Sequence, residues 1–185
     1  GSLPAARHVM RVRPRPVAGD RAVVSGSSSG KVFADTKAVR RVGERVGAGV
    51  LEEVWNARVT SHIPLRETAA SLSAERILSS IRLTVTVMEG AGKPAPRIGV
   101  AALNPHAGDG RNFGEEDEDI IAPAIEAARA EGLDVAGPIP SDTVFVRASR
   151  GEFDAVLTMY HDQGQIAMKL MGFDRGVTLI AGYGF

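Results

Sequence analysis

Four histidines occur in the 185 residues, and three of them share one sequence context. His62 follows Ala57-Arg58-Val59-Thr60-Ser61, where alternation through Val59 reads as a strand end, and it precedes Ile63-Pro64. His106 follows the apolar run Ile98–Leu103 and the pair Asn104-Pro105. His161 follows Phe153–Met159 and Tyr160. The last two runs have the length of buried strands. Each imidazole therefore falls where a core strand gives way to a loop or helix start. In a parallel sheet all strand C-termini face one edge, where reactive groups of open α/β sheets gather. Three imidazoles there could converge on one ion, and three protein ligands with open positions is a catalytic arrangement. Neutral imidazole suits zinc, and also iron, cobalt or nickel. The gaps between the three are wide, so spacing leaves open the reading of three idle loop histidines. His8 lies in a stretch with no readable pattern.

The neighbours add chemistry. Asp162 follows His161 directly and Asp109 lies three residues after His106; either can be a hydrogen-bond acceptor behind a ligand or a proton-transfer group. Lys169 lies eight residues after His161. On a helix starting near Gln163 it could point back to the strand-end edge, or it is a surface lysine.

The elements that must position these groups alternate between strand and helix. Ser71–Gly90 reads as a helix, with Ile77, Ile81, Val85 and Met88 recurring at helical spacing. Gly90, Gly92, Pro94 and Pro96 end it and lead to the strand at 98. The acids of Glu115–Asp119 precede a helical pattern through Ile121, Ile125 and Ala128; acids at a helix start complement its dipole, which outweighs a cation site. A short strand is expected at Val135, ended by Gly137-Pro138, with a turn at Ile139–Thr143. After the strand at 153–159 a helix pattern runs through Ile166, Met168, Lys169 and Leu170 to Gly172, and Val177–Ala181 is a last strand. This order predicts an α/β fold with a mostly parallel sheet and helices on both faces.

Residues 1–56 form a poorly readable, basic N-terminal segment and 57–185 the α/β domain. Within 1–49 ten Lys/Arg face three Asp/Glu, although the whole chain is neutral. The arginines at 7, 11, 13 and 15 lack interleaved aromatics and any known motif, so a solvated basic face is expected and nucleic acid is not. Ser25–Gly30 is a loop composition, and Lys31-Val32 breaks the P-loop pattern. Asp35–Val50 is compatible with a short amphipathic helix weakened by three glycines. Cysteine is absent, which excludes thiolate ligands and fits a reducing cytoplasm. No apolar run approaches a membrane span.

Five stretches together carry a family resemblance. T-S-H-I-P-L-R-E at 60–67, N-P-H-A-G-D-G at 104–110, G-E-E at 114–116, G-P-I-P-S-D-T at 137–143 and M-Y-H-D-Q-G at 159–164 closely resemble the 4-hydroxythreonine-4-phosphate dehydrogenase family of pyridoxal phosphate biosynthesis and its paralogues. The resemblance covers roughly residues 57–181. It implies a fold like isocitrate and isopropylmalate dehydrogenases, with an incomplete second lobe here, and a homodimer sharing its metal site. By motif match the metal ligands are His62, His106 and His161. The metal implied is divalent, zinc first, with magnesium, cobalt, nickel or manganese as alternatives. Lys169 matches a substrate-binding lysine and Asp162 is assigned a proton-transfer role. The reaction implied is NAD- or NADP-dependent oxidation of a secondary alcohol on a small anionic hydroxy acid, followed by β-decarboxylation.

The family's opening M-G-D-P-A-G-I-G-P-E and G-H-T-E motifs have no match in residues 1–56, and its R-T-S…D-H-G-T-A segment has none before Phe185. The chain thus reads as truncated, with no assignable cofactor-binding residues. Thr178 stands where the vitamin B6 enzyme carries a substrate-binding asparagine. That favours a paralogue acting on a phosphorylated sugar acid or a dihydrodiol dicarboxylate; a non-catalytic metal-binding fragment is the third reading.

Overall fold

The computed structural model describes the backbone at residues 32–40, 51–172 and 176–181, and side chains from 54 to 171. In chain order the elements are β1 (Val32–Arg40), β2 (Leu51–Arg58), α1 (Ala74–Gly90), β3 (Ile98–Ala101), α2 (Ala122–Ala130), β4 (Val135–Ile139), α3 (Ser141–Ser149), β5 (Ala155–Thr158), α4 (His161–Gly172) and β6 (Gly176–Ala181). They build one six-stranded sheet in the order β4-β3-β5-β2-β1-β6. The pairs β4–β3, β3–β5 and β5–β2 are parallel, whereas β1 runs antiparallel to both β2 and β6. The sheet is therefore mostly parallel, as the strand–helix alternation predicts.

Alternation along the strands assigns the two faces. Trp55, Ala57, Ile98, Val100, Ala155 and Leu157 pack under α1 and α2 with Ile77, Ile81, Met88, Ile125 and Ala128. Val54, Ala101 and Val156 point the other way and pack under α3 and α4 with Val144, Phe145, Ala148 and Met168. The stripe predicted for α1 is its buried face, and Ser73 caps the helix by accepting the Arg76 N–H. The capping side chain occupies one of the otherwise unpartnered first-turn donors.

Three expectations change. Asp35–Val50 is not a helix over its first part: residues 32–40 are a strand with a backbone ladder on both edges, and 41–50 lie outside the described residues. A weak periodicity interrupted by glycines is overruled by pairing with β2, the next strand in the chain, and with β6, the last. The stretch after Pro140 is more than a turn; it continues as α3, whose Val144, Phe145 and Ala148 are buried on the sheet. Gly137-Pro138 does not end β4, which runs on to Ile139 through a cis Gly137–Pro138 bond. The expectations for Lys31 and for the basic residues before it lie outside the described residues, as does the tail beyond Ala181. No helix among the described residues is long and apolar enough to cross a membrane.

Candidate metal and substrate site

The strand order decides which histidines meet. β2 and β5 are adjacent and parallel, and their pairing continues past the strand ends: Val59 N–H donates to the Thr158 carbonyl (2.9 Å) and Thr60 N–H to that of Met159 (3.1 Å). The Thr60 hydroxyl donates to the same Met159 carbonyl at 2.7 Å. Neighbouring strands lie about 4.8 Å apart. The side chains that follow are held at a similar separation, and the His62 and His161 rings lie 5.3 Å apart, tilted by 41°. Both line a cavity of about 230 Å³ with Thr60, Ser61, Ile63, Leu65, Thr68, Tyr160 and Asp162.

His161 is the first residue of α4, and its Nδ1 lies 2.7 Å from the Asp162 carboxylate. A carboxylate on Nδ1 fixes the ring's tautomer and orientation and leaves Nε2 as the ligating nitrogen. Two imidazoles, one of them oriented in this way, are a donor set that fits a borderline divalent ion.

His106 takes a different course. β3 is also a neighbour of β5, but the chain beyond Asn104 turns into a left-handed stretch: φ is 53° at His106, 55° at Ala107, 44° at Asp109 and 74° at Arg111, with Gly108 and Gly110 also positive. The His106 ring packs beside Phe113 at 5.9 Å. Among the described residues no group of three or more His, Asp or Glu side chains gathers with the geometry of a metal site. One copy of the chain thus brings two of the three candidate ligands together. His62 is left-handed as well, with φ 56°. Non-glycine residues in this region are costly and occur where surrounding structure imposes them.

The remaining candidates are dispersed. Lys169 is exposed on α4, more than two turns from His161, and lines neither cavity. Asp109 accepts from the Asn112 amide at 3.3 Å at the surface. Thr178 lies in β6 opposite Asp35, where only the backbone is described. A second, more open cavity of about 370 Å³ borders the first, sharing Tyr160 and Asp162 and adding Ser141, Asp142, Phe145 and Gln163.

Two polar anchors escaped the sequence reading. Asp117 is fully buried, and its carboxylate accepts from Leu103 N–H (2.8 Å) and Asn104 N–H (3.0 Å), pinning the departure of the His106 loop from β3. The Asn104 amide donates to Glu116 at 2.8 Å. Asp117 and Glu116 belong to the acidic run read as helix-dipole complement; an acid next to G-E-E with an apolar residue four positions on was the available signal. Gln163 holds three partners, Met159 N–H, the Ala102 carbonyl and the Ser141 hydroxyl.

Residues 31–185 match the family described as pyridoxal phosphate biosynthetic protein PdxA. The chain is 50% identical over 125 residues to a 4-hydroxythreonine-4-phosphate dehydrogenase of Desulforapulum autotrophicum, covering 67% of this chain and 37% of the relative. It is 48% identical over 127 residues to a D-threonate 4-phosphate dehydrogenase of Salmonella typhimurium, covering 69% and 39%. The fold matches the crystal structure of 4-hydroxythreonine-4-phosphate dehydrogenase from Klebsiella pneumoniae with a TM-score of 0.68 at 38% identity, over 83% of this chain and 43% of that one. A terephthalate 1,2-cis-dihydrodiol dehydrogenase from Burkholderia xenovorans matches with a TM-score of 0.69 at 25% identity, over 83% and 44%. The chain spans less than half the length of these relatives. With the family matched over residues 31–185 and the fold shared with a solved relative at 38% identity, the chain belongs to the PdxA family.

Proposed function

We propose that this chain supplies the metal-binding and substrate-orienting part of an NAD(P)-dependent dehydrogenase that oxidises the secondary alcohol of a phosphorylated four-carbon hydroxy acid. The observation that carries the reading is the His62–His161 pair, 5.3 Å apart, with Asp162 on His161 Nδ1. A divalent ion held by His62 and His161, zinc by donor chemistry, would supply Lewis acidity toward the alcohol oxygen, and a nicotinamide would be the hydride acceptor.

His62 and His161 present imidazole nitrogens to the ion. Asp162, bonded to His161 Nδ1, orients that ring; this contact favours an orienting role over the proton-transfer role that its position first suggests. Thr60 holds the two histidine-bearing strand ends together through the Met159 carbonyl. Since one copy brings two imidazoles together among the described residues, a homodimer sharing the site completes it with the His106 of a second copy. Lys169, on the exposed side of α4, and Thr178, on β6, serve the substrate's anionic end.

Phosphorylated hydroxy acids are favoured because the relatives near 50% identity carry such names. A dihydrodiol dicarboxylate is the second reading, favoured by the structural likeness to the Burkholderia enzyme. The test is cobalt titration of the metal-free protein, followed by visible absorption, with His62→Ala, His106→Ala and His161→Ala beside wild type. All three variants should lose tight binding. Equal binding by wild type and variants would remove the metal reading. Reduced-nicotinamide formation with D-threonate 4-phosphate, 4-hydroxythreonine 4-phosphate and a cis-dihydrodiol dicarboxylate then separates the substrates; turnover of the last alone would overturn the phosphorylated-acid reading.

A further inference from the structure

We infer that Gln163 is a positioning residue that locks the loop carrying His106 to the turn carrying His161. The inference rests on the metal-site reading above for its consequence, but the lock itself stands on hydrogen bonds. Gln163 lies in the first turn of α4, two residues after His161. Its Oε1 accepts from Met159 N–H at 2.7 Å, at the end of β5. Its Nε2 donates to the Ala102 carbonyl at 2.6 Å, just past the end of β3, and to the Ser141 hydroxyl at 2.7 Å, at the start of α3. The Ser141 hydroxyl in turn donates to the same Ala102 carbonyl at 2.8 Å.

The pattern admits only one orientation of the amide. The oxygen faces a backbone N–H, and the nitrogen faces a carbonyl and a hydroxyl, so all three contacts are satisfied together. A carboxylate of the same shape would set oxygen against the Ala102 carbonyl, and an apolar chain of the same length would leave both backbone groups without the partner.

Ala102 is the last point at which β3 is held before the loop begins. Its N–H donates to the Ile139 carbonyl at 2.8 Å, and the next two N–H groups go to Asp117. Asp117 therefore fixes the loop to its own following helix, whereas Gln163 ties it to the element bearing His161. In the shared-site reading the two tied histidines of one copy serve neighbouring metal sites, so the cross-tie sets the position of one ligand in each; residues behind a ligand set its geometry and commonly govern affinity by about 10- to 100-fold.

The test compares wild type with Gln163→Met, Gln163→Glu and Ser141→Ala. In metal-free protein, hydrogen exchange at amides 102–109 and 159 should quicken at least about tenfold in Gln163→Met, while the interior of α1 and α2 keeps its rates. In the cobalt titration, Gln163→Met and Gln163→Glu should weaken binding about 10- to 100-fold and alter the visible spectrum. Ser141→Ala, which keeps the amide–carbonyl bond, should show a smaller effect of the same kind. A residue that merely stabilises the fold would lower the melting temperature and leave the cobalt spectrum and the affinity of folded protein unchanged; that result, or unchanged exchange in the 102–109 loop, overturns the inference. If wild type binds no cobalt, the metal reading falls separately and loop exchange decides the lock. If Gln163→Met does not fold, Gln163→Glu and Ser141→Ala carry the same comparison.

Discussion

His62 and His106 both sit in left-handed backbone, at φ 56° and φ 53°, and His161 does not; it opens α4. This difference makes the sign of a glycine substitution a test of the site. An L-residue held left-handed costs about 1–2 kcal/mol, while glycine is indifferent to the hand. Glycine also gains freedom in the unfolded chain, which costs about 0.5–1 kcal/mol. The balance at His62 and His106 is about 0.5–1 kcal/mol in favour of glycine over alanine. Both substitutions remove the imidazole, so lost ring contacts cancel in the comparison. At His161 the helical backbone reverses the sign, and glycine should be the less stable by up to about 1 kcal/mol. The assay is urea unfolding of the six variants. With slopes of about 1–3 kcal/mol per molar, the midpoints at 62 and 106 should differ by about 0.2–1 M in glycine's favour, at unchanged slope. None of the six should bind cobalt tightly. A glycine variant more stable than its alanine counterpart, with tight metal binding lost from both, marks a strained residue held for its side chain. Alanine equal to or better than glycine at both left-handed positions, or one sign at all three, would refute the reasoning.

Other positions give further tests. Asp154, mostly buried below β3, accepts from Arg97 through backbone N–H (2.8 Å) and guanidinium (2.9 and 3.1 Å) and from Lys93 (2.9 Å). Burial alone would raise its carboxyl, but these donors outweigh that and hold it well below the ordinary carboxylate range. Its contribution is therefore complete above about pH 4 and is lost as pH falls toward the depressed folded value. Asp154→Asn should cost about 2 kcal/mol at neutral pH and flatten the acid limb of stability, read by urea unfolding between pH 2 and 7 on the order of one unit apart. Asp117→Asn turns one acceptor on Leu103 or Asn104 N–H into a donor in a fully buried site and should cost about 2–3 kcal/mol by the same assay. Gly99→Ala would drive a methyl group into the Phe153 ring, 2.7 Å away, and should cost about 1–3 kcal/mol; a neutral melting temperature would show that the ring can give way.

What the sequence made legible follows from physical range. α1 was readable because its apolar stripe, Ile77 to Met88, is a local pattern that also forms the buried face. β3 and β5 were readable because strands covered on both faces are nearly continuous apolar runs. α3 was not: Val144-Phe145-Val146 is as apt for a strand as for a helix, and the choice comes from burying Val144, Phe145 and Ala148 against the sheet. β1 was hidden for the same reason, since its pairing with β2 and with the far β6 defines it rather than any pattern of its own.

The site divides along the same line. That each histidine stands at a strand end is a local fact, and each was found from the apolar run before it. Which two meet is a fact of strand order. β5 lies between β3 and β2, so His161 has a neighbouring strand end on either side, one leading to His106 and the other to His62. Continued β2–β5 pairing through Thr60 delivers His62 to it, whereas the left-handed turn after Asn104 carries His106 toward Phe113. No spacing encodes that choice. It is made by backbone geometry, by Asp117 and by Gln163, residues whose own types announce nothing until their hydrogen bonds are seen. A three-histidine motif therefore identifies which residues to test, while strand order and the anchors behind them decide which two of the three share one cavity.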